Sequence, residues 1–348
     1  MHFAIIQNWG LGDLVMTTPV ITEFRRLFPD ARLTLIVHGK PQAALMKGSP
    51  MVDQILEMPP PSDQRGTLKF FRDLRHQQVD IAFIGTRIGG VLPWFVKVVA
   101  GVPVLLGDGR REKYPFIYKV RNKVDPTQHR VDRMLATFAL WSHQPPGPPR
   151  FPIPRNENAM EEARSILSAN GLQAGRFIVV HPGSSGGSGG SDKRIPIDVA
   201  RRVSDDILEA SPDMSLVFIF GPDDVDLIGG FRELGERKVV LSGNPLPTTI
   251  ALISQAAGFI GTDSALGHIA AAFDVPTATL FGPTIPSETA PYGTGATIIT
   301  RPQKLECQPC WGTALYGHCP YGARCMHELP ESTIVQEAIT WAARDSFG

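Results

Sequence analysis

Short apolar runs alternate with helical patterns along almost the whole chain, and this alternation constrains the fold more than any other feature. The runs FAII, RLTLIV, VDIAFIG and VPVLLG are separated by helical segments through Trp141. The alternation resumes with RFIVVHPG, MSLVFIFGP, KVVLSG, GFIGTD and PTATLFGP. Strands that alternate with helices form βαβ units around a parallel sheet. The sequence therefore predicts an α/β protein with two doubly wound sheets.

A proline-rich segment, residues 143–155, separates the two series. Six of its thirteen residues are proline, which fixes φ and removes a backbone donor, so we expect a semi-rigid linker. At 348 residues the chain also exceeds the size at which one core usually stops growing. We therefore expect one Rossmann-like domain over residues 1–142 and a second over residues 156–348, facing each other across a central cleft.

Charge and hydropathy exclude several classes of protein. The 34 Lys and Arg residues equal the 34 Asp and Glu residues in number, which disfavours a globally basic nucleic-acid binder. The amino terminus, MHFAIIQNWG, has neither the basic region nor the apolar length of a signal peptide, so we expect a cytoplasmic protein. The longest apolar region, residues 79–107, is interrupted by Arg87 and Lys97 and falls short of the roughly 20 residues that span a bilayer. Any membrane contact is expected to be peripheral.

Ligands of open α/β sheets bind beyond the carboxyl ends of the strands, so the turns after strands are where we look for a site. The first such turn contains Gly10, Gly12 and Asp13 and leads into a helix. Asp13 has two interpretations at this position. It either caps the helix start and interacts with its dipole, or faces the cleft as a functional group.

The second turn, residues 181–196, is rich in glycine and hydroxyl groups and contains Ser184, Ser185 and Lys193. Backbone N–H groups and a lysine can bind phosphates, although the lysine does not have the spacing of a Walker A loop. A flexible surface loop is the alternative. Residues 186–191, GGSGGS, also resemble a designed linker, so a native loop and a replaced one both stay open.

The third turn joins the strand GFIG to the small-residue helix ALGHIAAAF. Thr262, Asp263 and Ser264 lie at the junction, and the N–H groups of such a helix start can bind a diphosphate. Asp263 could bind sugar hydroxyls. An ordinary N-cap aspartate followed by a core-facing His268 is the alternative.

These three turns carry a resemblance to a known family. The sequence resembles glycosyltransferase family 9, the bacterial heptosyltransferases of lipopolysaccharide core assembly, over nearly its whole length. The matching motifs are GLGDLVMTTPVI, HPGSS followed by DKRIP, and GTDSALGHIAAAFDVPTATLFGPT. The family's phosphate loop typically ends Lys-x-Trp-Pro, whereas Ile195 replaces the tryptophan here. The resemblance implies a GT-B fold, with an amino-terminal acceptor-binding domain and a carboxy-terminal nucleotide-sugar-binding domain.

The resemblance also implies roles for individual residues. Asp13 would be the general base, Lys193 would offset charge on the leaving diphosphate, and no catalytic metal would be required. The donor-binding residues would be Ser184, Ser185, Asp223, Thr262, Asp263, Ser264, Gly267 and His268, with Asp224 as the alternative to Asp223 for a contact with the nucleotide ribose.

The implied function is inverting transfer of a heptose or related sugar from an ADP-sugar, ADP-heptose above all, to the lipopolysaccharide core or another glycan acceptor. Three alternatives stay open: a heptosyltransferase with a protein acceptor, a nucleotide-sugar epimerase on the same fold, and a non-catalytic nucleotide-binding module.

Four cysteines form a separate cluster within nineteen residues, namely Cys307, Cys310, Cys319 and Cys325. A C-x2-C pair followed by two more cysteines is typical of a tetrathiolate metal site, and a reducing compartment disfavours disulfides. The sequence predicts either a structural zinc or iron site here or four reduced thiols. An iron-binding version exists among the protein heptosyltransferases that the chain resembles.

A basic segment, residues 109–123, is the candidate acceptor site, with Tyr114, Phe116 and Tyr118 between its charges. Such a segment could bind an anionic glycolipid at the inner face of the cytoplasmic membrane, or it could be a solvated loop. The candidate acceptor-binding residues are Arg110, Arg111, Lys113, Lys119 and Arg121.

Overall fold

The computed structural model describes residues 1–7, 9–85, 91–107, 115–121, 125, 127–185, 190–231 and 235–344. The chain divides into two compact units, Met1–Pro154 and Arg155–Gly348. Each unit is built on its own six-stranded sheet.

The first unit contains six strands and five α-helices among its described residues. They are β1 (His2–Gln7), α1 (Leu11–Leu27), β2 (Arg32–Val37), α2 (Lys40–Met46), β3 (Gln54–Glu57), α3 (Gln64–Arg75), β4 (Ile81–Ile84), α4 (Leu92–Trp94), β5 (Val104–Gly107), β6 (Val120–Arg121) and α5 (Arg130–Ser142). A π-helical turn, Phe95–Val99, continues α4, and a 3₁₀ turn, Pro115–Ile117, precedes β6.

The second unit repeats this alternation within its described residues. Its elements are α6 (Glu157–Ala169), β7 (Phe177–His181), α7 (Ile197–Ala210), β8 (Ser215–Phe220), α8 (Val225–Ile228), β9 (Lys238–Ser242), α9 (Leu246–Ile253), β10 (Gly258–Thr262), α10 (Ala265–Ala272), β11 (Thr277–Phe281), α11 (Pro286–Thr289), β12 (Ala296–Thr300), α12 (Arg324–His327) and α13 (Glu331–Ala342). Three 3₁₀ turns lie at Gly190–Lys193, Pro222–Asp224 and Gly229–Phe231.

Both sheets are parallel and share one strand order. The first runs β3-β2-β1-β4-β5-β6 and the second β9-β8-β7-β10-β11-β12. In the first sheet Phe3 of β1 is level with Leu33 of β2 and Ile81 of β4. In the second, Val179 of β7 is level with Val217 of β8 and Phe259 of β10. The predicted class, two doubly wound parallel sheets, is confirmed.

The central strands are buried on both faces, which explains why their sequences read as continuous apolar runs. Alternate side chains of β1 point to opposite faces. Ala4 and Ile6 belong to a core cluster that includes residues of α3 and the π-helical turn. On the other face Phe3 stacks on Phe24 of α1 with ring centroids 4.3 Å apart.

The proline-rich segment belongs to the first unit up to Pro154. It contains no helix or strand and is held by two side chains of α1. Arg26 Nη2 donates to Pro145 O over 3.1 Å, and Thr22 Oγ1 donates to Arg150 O over 3.2 Å.

The apolar region that begins at Val91 forms a short helix with one exposed face. Val91, Trp94 and Val98 are 51%, 41% and 49% exposed, whereas Val96 is fully buried. Over the described ranges, no helix combines the length and the apolar character needed to cross a membrane.

Candidate active site

The shared strand order gives each sheet a switch point, where successive connections leave in opposite directions. In the first sheet it lies between β1 and β4, and in the second between β7 and β10. Ligands of doubly wound sheets bind in the crevice beyond the carboxyl ends of these strands. The turn with Asp13 follows β1, and the turns with Lys193 and Asp263 follow β7 and β10. All three sequence-predicted turns therefore lie at switch points.

Asp13 is held by an ion pair that links two helices of the first unit. Its Oδ1 atom lies 2.6 Å from Nη1 of Arg130, the first residue of α5. The side chains are 20% and 7% exposed, respectively. Gly10 is the N-cap of α1, so Asp13 lies in the first turn of this helix and does not cap it. A carboxylate there interacts favourably with the helix dipole, and the arginine fixes its orientation.

Two buried side chains support this first turn of α1. Thr17 Oγ1 donates to the backbone oxygen of Asp13 over 2.8 Å, and Gln7 Nε2 donates to Thr17 Oγ1 over 3.0 Å. A Cβ at Gly85, just after β4, would lie 3.0 Å from Thr17 Oγ1. The end of β4 therefore packs tightly against the helix start that carries Asp13.

The loop after β7 is held by the carboxylate of Asp224. Ser184 N donates to Asp224 Oδ1 over 3.0 Å, and Gly221 N donates to Oδ2 over 3.1 Å. Arg194 lies 3.6 Å from Oδ1. A Cβ at Gly183 would meet the Asp224 carboxylate carbon at 2.2 Å, so only glycine fits there. The carboxylate of Asp224 thus accepts a hydrogen bond from the backbone of this loop.

Asp223, the residue predicted to face the nucleotide ribose, has a different environment from its neighbour. Its side chain is exposed, and its backbone oxygen accepts a hydrogen bond from Arg194 Nη2 over 2.6 Å. The structure leaves Asp223 available to solvent, and its contact with ribose stays a prediction.

The second and third turns meet through two hydrogen bonds. Lys193 Nζ donates to Asp263 O over 2.8 Å, and Thr262 Oγ1 donates to Gly183 O over 2.7 Å. Lys193 and Asp263 are 70 positions apart in the chain. The structure therefore brings together the lysine and the aspartate that sequence analysis assigned to one site.

The start of α10 carries polar groups whose hydrogen-bonding capacity is unused among the described residues. Ser264 is its N-cap, but its side chain makes no capping hydrogen bond. The Oγ atoms of Ser264 and Ser184 are both buried without a partner in the described part of the chain. Buried hydroxyls are normally satisfied, so these two hydroxyls are available to a water molecule or to a bound polar ligand.

The rest of α10 packs closely on the sheet. Gly267 and His268 are buried, and Ala265 is the first helical residue, so Asp263 does not cap this helix. A Cβ at Gly267 would lie 3.4 Å from Pro291 Cγ and 3.5 Å from Thr279 Oγ1. The absence of a side chain at Gly267 thus allows α10 to approach β11 and Pro291 closely. Ser185 follows Ser184 and is exposed.

His181 ends β7 beneath the loop that carries Ser184. Its Nδ1 atom lies 2.9 Å from Ile219 O, and the ring is 5% exposed. Burial lowers the pKa of His181, partly opposed by this hydrogen bond and by the charge of Asp224. The neutral ring with its proton on Nδ1 therefore donates to Ile219 O and ties the end of β7 to β8.

The four cysteines are free thiols in one segment, residues 307–325, which is irregular except for Cys325 in α12. Burial, with smaller effects of the other thiols, raises the pKa of Cys310, and it raises that of Cys325 to about 11. In the described ranges, no three or more His, Cys, Asp or Glu side chains are grouped so that they could hold a metal ion. The predicted metal site is therefore not confirmed.

The cysteine-rich segment contacts two parts of the second unit, one of which belongs to the candidate site. Gln308 Nε2 donates to Gly282 O over 2.8 Å, and Trp311 N donates to Pro283 O over 3.0 Å, just beyond β11. Gly317 N donates to Asp192 Oδ2 over 2.7 Å. Asp192 immediately precedes Lys193, so the segment reaches the loop that carries the site lysine.

Comparison with known proteins identifies the family. The family model described as glycosyltransferase family 9 (heptosyltransferase) matches residues 67–316, well over half of the chain. The chain belongs to glycosyltransferase family 9. Lipopolysaccharide heptosyltransferase 1 of Pseudomonas aeruginosa is 23% identical to it over 324 residues, which cover 89% of this chain and 86% of that protein. This family 9 protein is thus a glycosyltransferase.

Solved structures agree with the fold of this family 9 enzyme. A family 9 glycosyltransferase from Veillonella parvula matches with a TM-score of 0.83 at 18% identity, covering 99% of this chain and 98% of that one. An E. coli heptosyltransferase with ADP matches with a TM-score of 0.66 at 19% identity, covering 86% and 92%. The iron-containing heptosyltransferase TibC of E. coli matches with a TM-score of 0.54 at 14% identity, covering 98% and 76%. The predicted GT-B class is confirmed.

Sequence analysis of this family 9 chain missed two residues of the site, Arg130, which pairs with Asp13, and Asp192, which binds the cysteine-rich segment. Asp224 was named as an alternative to Asp223 for a ribose contact, whereas the structure shows its carboxylate bound to the backbone of the loop after β7. Asp192 adjoins Lys193, and this adjacency was its only local signal. Arg130 lies 117 positions from Asp13 and had none.

The predicted acceptor residues of the enzyme are described only in part. Arg110, Arg111 and Lys113 lie outside the described residues. Lys119 is exposed, and its backbone N–H donates to Leu105 O over 2.8 Å. Arg121 belongs to β6 by its backbone. These residues stay candidates from sequence alone.

Proposed function

We propose that this family 9 enzyme transfers a heptose from ADP-heptose to a lipopolysaccharide-core or related glycan acceptor, with inversion at the anomeric carbon. The observation that carries the proposal is the meeting of the two donor turns, in which Lys193 contacts the backbone of Asp263. The relative from P. aeruginosa is named a lipopolysaccharide heptosyltransferase, and a solved E. coli heptosyltransferase contains ADP.

The donor diphosphate would bind where these turns meet. The backbone N–H groups at the start of α10 and the hydroxyls of Ser184 and Ser264 would donate to phosphate oxygens, as helix starts commonly do. Lys193 would offset the charge that develops on the leaving group. Asp263 would accept hydrogen bonds from the donor sugar. Thr262, Gly267 and His268 would shape the site, and the exposed Ser185 and Asp223 would contact the periphery of the donor.

Asp13 would act as the general base. The acceptor hydroxyl oxygen forms a bond to the anomeric carbon, the bond from that carbon to the diphosphate oxygen breaks, and ADP leaves. The acceptor proton passes to the Asp13 carboxylate, whose orientation Arg130 controls through the 2.6 Å contact. Charge stabilisation by Lys193 and backbone N–H groups would replace that of a catalytic metal ion in this scheme.

The acceptor would be an anionic glycolipid at the inner face of the cytoplasmic membrane. The basic segment, residues 109–123, would bind its phosphates through residues such as Lys119 and Arg121. The exposed Trp94 and Phe116, 41% and 81% exposed, are apolar side chains of the same unit that could approach the lipid surface.

A structural zinc or iron ion at Cys307, Cys310, Cys319 and Cys325 is a second part of the proposal. It would require these thiols to draw together, because the described structure does not group three or more of them as metal ligands. TibC is an iron-containing heptosyltransferase. A bound cation would stabilise the thiolate forms. Elemental analysis of protein purified without chelator should find zinc or iron near one equivalent. A metal-free protein with four titratable thiols would contradict it.

Thermal shift measurements with ADP, UDP and GDP test the donor assignment. ADP should raise the melting temperature most, because a ligand selective for the native state stabilises it by mass action. Equal shifts with all three nucleotides would remove the ADP-heptose assignment. Lys193→Ala should bind ADP more weakly without loss of fold.

A transfer assay tests the reaction itself. The enzyme, ADP-heptose and heptose-free lipopolysaccharide core should yield ADP and a core that is one heptose heavier by mass spectrometry. Formation of a sugar epimer from donor alone would favour an epimerase. Transfer to a protein but not to the core would change the acceptor class, and binding without any product would indicate a non-catalytic module.

A further inference from the structure

The end of the cysteine-rich segment that contacts Asp192 is built as a compact turn, which we call the tip, residues 315–318. Within the tip His318 N donates to Leu315 O over 3.1 Å. Tyr316 N donates to the oxygen of Thr313, which precedes the tip, over 3.4 Å. Gly317 has a φ of +88°, a backbone conformation that residues with a side chain rarely adopt. The tip therefore presents its glycine N–H in a fixed direction, toward the Asp192 carboxylate.

One short 3₁₀ turn links the tip to the donor site. Asp192 accepts the Gly317 N–H over 2.7 Å, and the next residue, Lys193, donates to Asp263 O over 2.8 Å. Asp192 and Gly317 are 125 positions apart. The cysteine-rich segment is thus attached to the turn after β7, which itself contacts the turn that carries Asp263.

Tyr316 lies on the tip next to Gly317, whose N–H binds the Asp192 carboxylate. Its ring is partly buried. Burial, followed by the negative charges of Asp263 and Asp192, raises the pKa of Tyr316 to about 12. The hydroxyl therefore keeps its proton at neutral pH and can donate a hydrogen bond. A donor of this kind complements the hydroxyl oxygens of a sugar.

The base of the segment is fixed independently of the tip. Gln308 and Trp311 bind the backbone oxygens of Gly282 and Pro283 beyond β11. The segment therefore runs from the end of β11 to the loop after β7, and its two attachments hold Tyr316 in one place relative to Asp263.

We propose that the tip forms a wall of the donor-sugar site, in which Tyr316 donates a hydrogen bond to the sugar and Asp192 positions Tyr316 by holding Gly317. This inference rests on the proposed function, since it assigns a sugar contact within that site. Tyr316 is a specificity residue for the sugar, and Asp192 is a positioning residue that acts through the tip.

Binding of ADP and of ADP-heptose to purified variants separates sugar from nucleotide contacts. Tyr316→Phe removes one oxygen atom, so it should weaken ADP-heptose binding by about threefold to tenfold, the range for one neutral hydrogen bond, and leave ADP binding unchanged. The KM for ADP-heptose should rise by a similar factor. Tyr321→Phe, at an exposed tyrosine of the same segment, is the matched control and should bind both ligands normally.

Asp192 variants test the positioning role. Asp192→Ala should weaken ADP-heptose binding at least as much as Tyr316→Phe and should speed amide hydrogen exchange at Gly317. Asp192→Asn keeps an acceptor oxygen for the Gly317 N–H and should recover most of both effects. Asp205→Ala, at an exposed aspartate paired with Lys238, is the control and should change neither.

Three results would overturn the inference or its basis. ADP-heptose binding by Tyr316→Phe that equals the wild type removes the sugar contact while the proposed function stands. Unchanged Gly317 exchange in Asp192→Ala removes the positioning role. A wild-type enzyme that binds neither ADP nor ADP-heptose rejects the proposed function itself. Tyr316→Phe keeps the packing of the ring, so it remains informative even if Asp192→Ala fails to fold.

Discussion

At the scale of single residues, the ion pair between Asp13 and Arg130 affects two properties, the stability of the fold and the orientation of the Asp13 carboxylate. Both side chains are largely removed from water, and burying such a pair gives little net stability. A guanidinium can hold a carboxylate in one orientation through charge-assisted hydrogen bonds. The pair therefore fits the proposed role of Asp13 in proton transfer, which requires a fixed carboxylate, better than a role in stabilising the fold.

Replacement of Asp13 by Asn tests this role. The amide keeps the size of the carboxylate but loses its basicity, so turnover should fall by about 10²–10⁴-fold. The Kd for ADP should barely change, because Lys193 and the turns around Asp263 belong to the other unit. Steady-state kinetics with isothermal titration of ADP measures both quantities. Asp30→Asn, at an exposed residue beyond α1, is the control, and normal turnover in folded Asp13→Asn would reject Asp13 as the base.

Asp223 and Asp224 mark how far single residues could be predicted from the sequence. Both adjoin the strand β8, and only the structure separates them, because one is exposed and the other is 2% exposed and bound to two backbone N–H groups. The partners of Asp224 include Ser184, 40 positions away. A contact between residues so far apart in the sequence leaves no periodic pattern. Sequence analysis can therefore name the pair of aspartates without assigning their roles.

At the scale of elements, Asp224→Asn should loosen the loop after β7. An amide can accept from only one of the two N–H groups now bound by the carboxylate, and its own N–H₂ group would face the other. We expect a loss of about 1–3 kcal/mol in the free energy of unfolding, the usual result of leaving a buried donor unsatisfied. Urea denaturation measures it. Asp223→Asn, at the exposed neighbour, should leave this free energy unchanged, and equal losses in both variants would contradict the assignment.

The start of β10 offers a second test at this scale. A Cβ at Gly258 would lie 2.0 Å from Trp341 Cε3, so α13 can pack on this strand only because residue 258 is glycine. Gly258→Ala should therefore cost about 1–3 kcal/mol of unfolding free energy through overpacking. Gly229→Ala, where no atom lies within 4 Å, should be neutral or slightly stabilising. Thermal denaturation of the two variants makes the comparison, and equal melting temperatures would show that Trp341 can move aside.

The elements themselves were predictable because the central strands are buried on both faces and their apolar runs are uninterrupted. The turns at Asp13, Lys193 and Asp263 were predictable because each follows such a run. The contact between Asp192 and Gly317 was not, since the segment that contains Gly317 has no regular periodicity. Its place in the fold depends on hydrogen bonds to residues far away in the chain, such as Gly282 and Asp192.

At the scale of the whole molecule, acid stability should depend on His181. Burial lowers its pKa in the folded state, whereas the unfolded chain takes up a proton near pH 6.5. The unfolded state therefore binds more protons below pH 6.5, and the free energy of unfolding falls as pH falls, by up to about 1.4 kcal/mol per pH unit from this group. No such dependence from His181 is expected above about pH 7.

His181→Gln removes this proton uptake while keeping a side chain that can donate to Ile219 O. Urea denaturation between pH 5 and 7.5 should show a shallower decline for the variant than for the wild type. His2, whose pKa is also lowered by burial, is present in both proteins and cancels in the comparison. Parallel declines would show that His181 does not contribute.

The strand order shared by the two sheets also has a consequence for how the chain folds during synthesis. In each unit the strand made first, β1 or β7, becomes a central strand, and one of its neighbours is made much later. Phe3 of β1 pairs with Ile81 of β4, and Ile178 of β7 pairs with Gly258 of β10, so each early strand lacks this neighbour until the later strand has been made. Such long-range pairing is slow and leaves apolar edges exposed on the ribosome. Each newly made unit should therefore depend on chaperones until its fourth strand emerges, and the amino-terminal unit should complete its sheet before synthesis of the second unit begins.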